Sequence, residues 1–151
     1  MLMVWIVKIL SRKEVNRVLL GTGMIKPILT VASTTKNKHL ARECCNTILN
    51  LCYEKETVVL LLDLSGIPVL LKLLEHRDDT ELLASVMGAL QSVCFQPIGR
   101  AKLYELEGTG QIVPLLQFPS IKVAARAMGV VHNLSSYPQT IRTIRTRVEL
   151  R

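Results

Sequence analysis

The stretch SGIPVLLKLLEHRDDTELLASVMGALQSV, residues 65–93, decides the fold of this chain. It opens with Gly-Ile-Pro, and proline is tolerated in the first turn of a helix because no intrahelical donor is lost there. A polar turn follows, in which Asp78 or Asp79 is placed to cap the next helix. Apolar residues then recur at helical spacing, although Gly88 stands among them. The stretch therefore predicts a sharp corner and two helices joined by a polar turn.

The same pattern occurs three times along the 151 residues. GMIKPIL, SGIPVLLKLL and GQIVPLL share an isoleucine, at Ile25, Ile67 and Ile112. TILNLC, ALQSVC and VVHNLS share a polar residue, at Asn50, Ser92 and Asn133. Two anchors with one period of about forty residues predict a repeat protein. The last interval, from Ile112 to Asn133, is 21 residues against 25 in the earlier units, so the second helix there should be short.

Each unit predicts three helices. A short first helix, such as KETVVLLLDL, precedes the corner, and a second helix and a long third helix follow it. Glycine inside a helix costs about 0.5–1 kcal/mol relative to alanine. Gly88 and its counterpart Gly129 therefore indicate places where neighbouring helices approach closely. The two copies of Gly-Thr-Gly, at 21–23 and 108–110, are both placed at corners.

At these positions the chain resembles the armadillo repeat family. The match rests on SGIPVLLKLL with ELLASVMGALQSV, on GTGQIVPLLQFPSIKVAARAMGVVHNLSS, and on the looser GTGMIKPILTVAS with HLARECCNTILNLC; it covers about residues 5–145. We therefore predict an all-α, right-handed α-solenoid, an armadillo-type superhelix of about three three-helix repeats, incomplete at both ends. The predicted repeats are residues 23–64, 65–107 and 108–136, with partial repeats at 1–22 and 137–151.

Both ends of the chain fall inside predicted repeats, so we expect a segment of a longer solenoid. VWIVKILSRKEVNRVLLGTG fits the close of a third helix followed by a first helix, with Ser11 and Glu14 as its capping box. An uncovered repeat face exposes an apolar patch that monomers seldom leave open. We expect the isolated chain to self-associate through its ends unless further repeats cover them. The apolar residues at the first end are Val4, Ile6, Val7 and Leu10.

Charge is concentrated at the two ends of the chain. The formal net charge is +7, of which residues 1–22 and residues 137–151 carry +3 each, leaving +1 for the rest. This distribution disfavours a nucleic-acid-binding face along the body of the protein. The alternative function is association of nucleic acid or an anionic membrane surface with the arginine-rich end. Its arginines are Arg142, Arg145, Arg147 and Arg151.

No apolar run reaches the roughly twenty residues that a spanning helix needs. The first ten residues, MLMVWIVKIL, are interrupted by Lys8, and no small-residue cleavage site follows them. We expect a soluble intracellular protein, cytoplasmic or nuclear, neither secreted nor transmembrane. The cysteines have no metal-ligand spacing and are expected to be small buried hydrophobic residues. They are Cys44, Cys45, Cys52 and Cys94.

The resemblance also implies a function. In armadillo proteins the long third helices line a concave groove that binds an extended peptide, and asparagines on those helices hold the peptide backbone. Asn50, Ser92 and Asn133 match these asparagines, and an amide suits the role because it donates and accepts at once. The alternative for them is a solvated polar position or a helix-end hydrogen bond. The predicted groove residues are Asn46, Asn50, Gly88, Ser92, Arg126, Gly129 and Asn133.

Side chains on two successive turns of the predicted groove helices, before the Asn50, Ser92 and Asn133 positions, indicate which kinds of partner are favoured or disfavoured. Trp5 alone matches the tryptophans with which importin-α proteins hold lysine side chains, so activity as a nuclear-signal receptor is disfavoured. Glu43, Ser85 and Arg126 occupy the preceding turn and form a mixed set of charges with no dominant sign.

Nothing in the sequence supports an enzyme. His39, His76 and His132 lie apart, and no nucleotide loop, nucleophile elbow or metal motif is present. We predict a non-catalytic protein–protein interaction scaffold that binds a protein or peptide partner along the groove, without a cofactor or a metal.

Overall fold

The structure, a computed structural model, describes residues 1–149, without the side chains of residue 143 and of residues 147–149. All regular secondary structure in this range is helical. The α-helices are α1 (Leu2–Leu10), α2 (Glu14–Thr34), α3 (Lys38–Leu51), α4 (Lys55–Asp63), α5 (Gly66–Leu73), α6 (Thr80–Phe95), α7 (Pro97–Glu105), α8 (Thr109–Ile112), α9 (Ile121–Leu134) and α10 (Pro138–Glu149). A 3-10 helix, Val113–Gln117, directly follows α8.

The third helices of the units, α3, α6 and α9, form one continuous layer together with α1; we call these four the long helices. α3 packs against α6 and α6 against α9, while α1 packs against the other side of α3. The first helices α2, α4 and α7 contact one another in the same order and form a second layer. α6 lies in the middle of the stack, so nearly all of its apolar residues are buried. This stacking of neighbouring units is an α-solenoid, as predicted.

Two corners separate first from second helices, and each has the same local geometry. Ser65 and Glu107 adopt left-handed backbone conformations, with φ of 57° and 53°. A Cβ on the following Gly66 would lie 2.8 Å from the carbonyl oxygen of Leu61. Gly108 is crowded mainly by a side chain, because a Cβ there would lie 2.3 Å from Cδ1 of Leu103 and 3.3 Å from its carbonyl oxygen. The corner therefore favours glycine immediately after the left-handed residue, most strictly at Gly66.

The predicted corner at 21–23 is wrong, because α2 runs without a break from Glu14 to Thr34. Met24 stands 42 residues before Gly66, and its side chain could not occupy the crowded position that the corner creates. Pro27 is accommodated inside α2. Gly21 has a different role: a Cβ there would lie 2.1 Å from Thr57 Oγ1, so this glycine lets α2 pack closely on α4.

Of the two predicted helix caps, the one at the start of α6 is confirmed and the one at the start of α2 is wrong. Asp79 caps α6, since its Oδ1 accepts a hydrogen bond from the backbone N–H of Leu82 at 2.9 Å. The predicted capping box is wrong: α2 begins after Lys13, without a side-chain cap. Ser11 instead donates its hydroxyl to the carbonyl oxygen of Lys8, at 2.9 Å.

The last unit is shortened as the spacing indicated, although the loop shortens as well. The second helix contains only the four α-helical residues of α8 before it tightens into the 3-10 helix. The loop that follows spans 118–120, whereas the corresponding loop between α5 and α6 spans 74–79. The missing residues therefore come mainly from this loop, and α9 is still brought against α6.

All four cysteines are free and buried, as predicted. Burial raises the pKa of the Cys44 thiol to about 11, because a thiolate is poorly solvated in an apolar interior. These residues therefore act as small apolar side chains between the helices.

The first helix buries one face and exposes the other. Val4 and Val7 are buried against the rest of the protein, so the expectation that they lie at an uncovered surface is wrong. They are three residues apart and share the side of α1 that packs on α3. The remaining apolar residues of this segment are exposed, namely Met1, Leu2, Met3, Trp5, Ile6, Ile9 and Leu10.

Candidate partner-binding groove

A hollow of about 320 Å³ lies across three of the long helices, α3, α6 and α9. Its walls come from the C-terminal half of α6, the end of α3 and the exposed side of α9. Four of the predicted groove residues line it: Gly88, Ser92, Arg126 and Asn133. We call this hollow, with its lining residues, the long-helix groove.

Three hydrogen bonds of one type join consecutive long helices, and we call them the inter-helix ladder. In each, a polar side chain donates to a backbone carbonyl near the C-terminal end of the preceding long helix. The bonds run from Asn50 Nδ2 to Lys8 at 3.2 Å, from Ser92 Oγ to Leu49 at 2.8 Å, and from Asn133 Nδ2 to Gln91 at 2.9 Å. The carbonyls of Lys8 and Leu49 belong to the last four residues of their helices and have no backbone partner there, whereas Gln91 precedes the last four residues of α6 and its carbonyl also has a partner within the helix. The bonds hold the stacked helices in register.

The ladder leaves the two asparagines with an unused acceptor. Asn50 also donates to Ser11 Oγ at 3.2 Å, so its amide nitrogen is engaged with α1 and the turn after it. Among the described residues, no donor reaches the Oδ1 of Asn50 or Asn133 within hydrogen-bond distance. Both residues are half-buried. The side-chain amide of each asparagine thus donates to the neighbouring helix through Nδ2, while its Oδ1 is available to accept a hydrogen bond.

The two mid-helix glycines mark close contacts between long helices. A Cβ on Gly88 would lie 2.7 Å from Cδ1 of Leu49, which belongs to α3. A Cβ on Gly129 would lie 2.5 Å from Nε2 of Gln91, which belongs to α6. In each case a side chain of the preceding helix fills the space above the glycine. Both glycines are therefore covered by a neighbouring side chain; Gly88 is buried and lies at the lining of the groove, while Gly129 is half-buried and does not line it.

Two aromatic residues at the rim of the groove were missed by the sequence analysis. Tyr53 and Phe95 line the hollow, with 53% and 62% of their surfaces exposed. Each directly follows the last cysteine of the repeated motif, at Cys52 and Cys94. Their spacing of 42 residues was a signal that could have identified them. Asn46 is half-buried on α3, one turn before Asn50, and does not line this hollow.

The acidic groups of the long helices are paired. Glu43 is only 5% exposed and forms an ion pair with Lys8, while Arg42 Nε lies 3.9 Å from its other oxygen. Burial by itself raises the pKa of Glu43, but the hydrogen bond and charge of Lys8, with smaller effects of nearby cations, hold it below its usual range. Glu81 pairs with Lys122 at 2.6 Å.

Arg126 is exposed and lies over Gly88, its Cζ 3.8 Å from the place a Cβ would occupy. Its guanidinium donates to the neutral Oε1 of Gln91 at 3.3 Å. Among the described residues, no carboxylate lies within 4.0 Å of it. Arg126 is thus a cation of the groove that the protein does not itself neutralise.

Other residues named from the sequence lie away from the groove. Lys8 Nζ lies 5.3 Å from the ring centre of Trp5, which is half exposed. Arg142 and Arg145 are exposed on α10. The side chain of Arg147 and all of Arg151 lie outside the described residues. The three histidines, His39, His76 and His132, are exposed and distant in sequence.

The chain is similar in structure to designed armadillo repeat proteins. One, solved in complex with the peptide (KR)4, has a TM-score of 0.81 and 18% identity over 88% of this chain and 56% of its own. Another, from computationally designed armadillo repeat proteins for modular peptide recognition, has a TM-score of 0.81 and 16% identity over 93% of this chain and 60% of its own. No protein-family profile matches the sequence, and no curated protein matches it.

These similarities show the fold, which is an all-α solenoid of the armadillo type. The chain spans between half and three-fifths of the length of the solved structures named above. Within residues 1–149, no single helix is long and apolar enough to cross a membrane. Only α6 and α7 taken together reach that length and apolar character, and they are bent by 118° relative to each other.

Proposed function

We propose that this protein is a non-catalytic interaction scaffold whose long-helix groove binds an extended segment of a protein partner. The observation that carries the proposal is the hollow of about 320 Å³ shared by α3, α6 and α9. Structurally similar designed proteins support it, because one is solved with a bound peptide and another was designed for modular peptide recognition. The groove residues and the repeat boundaries at 64/65 and 107/108 predicted from the sequence are part of this proposal, whereas the boundary at 22/23 falls inside α2 and is not.

The ladder gives the groove a defined way to bind a backbone. With its nitrogen held by the preceding helix, Asn133 presents Oδ1 in one orientation, where a peptide N–H would donate to it. Arg126 and Gln91 carry N–H groups at the same hollow, and these would donate to peptide carbonyls. Because the groups are positioned before the partner arrives, little side-chain entropy is lost on binding.

The aromatic rim supplies apolar contact. Tyr53 and Phe95 both line the hollow and expose large surfaces, and Leu49 contributes to its wall. Buried aromatic side chains carry much of the binding energy of protein interfaces. An apolar side chain of the partner would therefore pack against these rings, while the polar groups hold the backbone beside it.

Selection from a random twelve-residue peptide library on the 151-residue chain tests the proposal. We expect bound peptides to lose about tenfold or more in affinity against Phe95→Ala. The matched control is Val59→Ala, which truncates a 42%-exposed apolar residue on α4, outside the groove. Thermal melts confirm that both variants fold. Peptides that bind the Phe95→Ala protein as tightly as the control would contradict the proposal.

Asn133→Ala provides a second arm of the same experiment. It removes the proposed acceptor together with its ladder bond, so its stability is measured alongside its affinity. We expect loss of affinity at temperatures where the variant remains folded. Unchanged binding by the folded variant would remove Asn133 from the groove mechanism.

A further inference from the structure

The charges of the long helices differ once their contacts are known. The sequence presents Glu43, Ser85 and Arg126 as a mixed set without a dominant sign. In the structure, Glu43 is buried against α1 and paired with Lys8. A carboxylate in that position cannot attract a cationic partner, because its charge is already compensated and its surface is covered. Arg126 remains exposed on the same layer of helices.

The second acidic residue of this layer is also compensated. Glu81, at the start of α6, lies 2.6 Å from Lys122 at the start of α9, so the pair contributes no net charge. Glu54, beside the aromatic rim, accepts from Arg17 Nε at 2.9 Å, and Arg17 lies 5.3 Å from the ring centre of Tyr53. Both carboxylates face cations of this chain. The uncompensated charge at the groove is positive.

Arg126 has the free donors that a carboxylate needs. Its guanidinium carries five N–H groups in a planar fork, and the structure engages it with one neutral oxygen, that of Gln91. Arg126 lines the hollow, and because Gly88 beneath it has no side chain, no Cβ of that residue contacts the guanidinium. Arginine binds carboxylates with two parallel hydrogen bonds, which is stronger and more directional than a single bond to a neutral group.

We propose that the groove selects a partner segment in which an acidic residue meets Arg126 next to an apolar residue that packs against Tyr53 and Phe95. This inference rests on the proposed function and specifies its partner as an acidic, apolar-anchored protein segment. The designed protein with the (KR)4 peptide has a bound segment of the opposite charge. A basic segment here would bring a cation towards Arg126, which costs affinity.

The test uses the twelve-residue library on the full 151-residue chain, with charge-reversed variants. We expect Asp and Glu to be enriched beside an aliphatic or aromatic residue in peptides that depend on Phe95. For those peptides, Arg126→Gln should weaken binding about ten- to a hundredfold, and Arg126→Glu should select basic residues instead. The matched control is Lys26→Glu, an equal charge change on α2 that should leave the selection and the affinities unchanged.

The outcomes separate this inference from the function on which it rests. Peptides that require Phe95 but are neutral or basic, and that bind Arg126→Gln undiminished, would overturn the acidic specificity and leave the groove function standing. Loss of affinity in Lys26→Glu equal to that in Arg126→Glu would show a non-specific charge effect and would also overturn it. If no selected peptide depends on Phe95, the groove function itself fails, and the inference fails with it.

Discussion

Replacing Ser92 by alanine isolates one bond of the inter-helix ladder. Ser92 is only 6% exposed, and its hydroxyl donates to the carbonyl oxygen of Leu49 at 2.8 Å. That carbonyl lies in the last turn of α3, where the helix provides no donor of its own. Among the described residues, no other donor reaches it. The substitution therefore removes one side-chain group and leaves one backbone acceptor without a partner.

The magnitude follows from two opposing effects. Leaving a buried acceptor unsatisfied costs about 1–3 kcal/mol, and the half-buried Leu49 at the groove wall is expected towards the lower end of that range. Alanine has a higher helix propensity than serine, which returns up to about 0.5 kcal/mol in the middle of α6. We expect the free energy of unfolding of Ser92→Ala to fall by about 1–2 kcal/mol. For a protein of this size that corresponds to a decrease in Tm of roughly 2–8 °C.

Urea denaturation followed by circular dichroism measures the change. The control is Ser33→Ala, since Ser33 is exposed on α2 and its hydroxyl bonds only to Thr30 of the same helix, at 3.0 Å. We expect the control to be neutral or slightly stabilising. If Ser92→Ala is as stable as Ser33→Ala, the ladder does not contribute to the stacking of the helices and the reasoning is refuted.

Three further predictions concern other parts of the protein. The pKa of Glu43 is lowered in the folded state, so its contribution to stability is present above about pH 4.3, the usual value for glutamate, and is lost as the pH falls through the folded pKa. Glu43→Gln should therefore flatten the dependence of Tm on pH in this acid range. An unchanged profile would contradict the ion pair with Lys8. Gly66→Ala should destabilise the protein by about 2 kcal/mol or more, because its Cβ would meet the carbonyl of Leu61. Gly23→Ala, with nothing within 4 Å of the added Cβ, should instead stabilise it by about 0.5–1 kcal/mol. Chemical denaturation compares the two variants, and equal changes in the free energy of unfolding would exclude the steric account of the corner. The 151-residue chain should self-associate through the exposed face of α1, and Ile6→Lys should reduce this in light scattering over a concentration series; a monomer at high concentration would contradict it.

The signals that predicted the fold act over short distances in the sequence. The corner at Ser65 needs glycine at 66 because a Cβ there would meet Leu61, only five residues earlier in α4. Asp79 caps α6 through the backbone N–H of Leu82, three residues later. Such contacts recur wherever the same residues recur, which is why the repeat and its helices could be predicted without coordinates.

The misplaced corner also has a local cause. The corner was placed at the first Gly-Thr-Gly because glycines were present at 21–23, but the position that must lack a side chain corresponds to Met24. Glycine content indicated a corner, whereas the corner depends on one crowded position. The steric requirement at Gly66 became visible only from its distance to the backbone of α4.

The sequence by itself determined that this protein is a stack of helical repeats with corners at Gly66 and Gly108, because helix periodicity and corner geometry depend on residues a few positions apart. The tertiary structure decided the chemistry of the groove. Asn133 and its ladder carbonyl at Gln91 are 42 residues apart, and Glu43 and Lys8 are 35 apart. The offset at which neighbouring helices stack sets which of these side chains meet. That offset turned Asn133 into an inter-helix donor with a free oxygen and left Arg126 as an uncompensated charge of the groove.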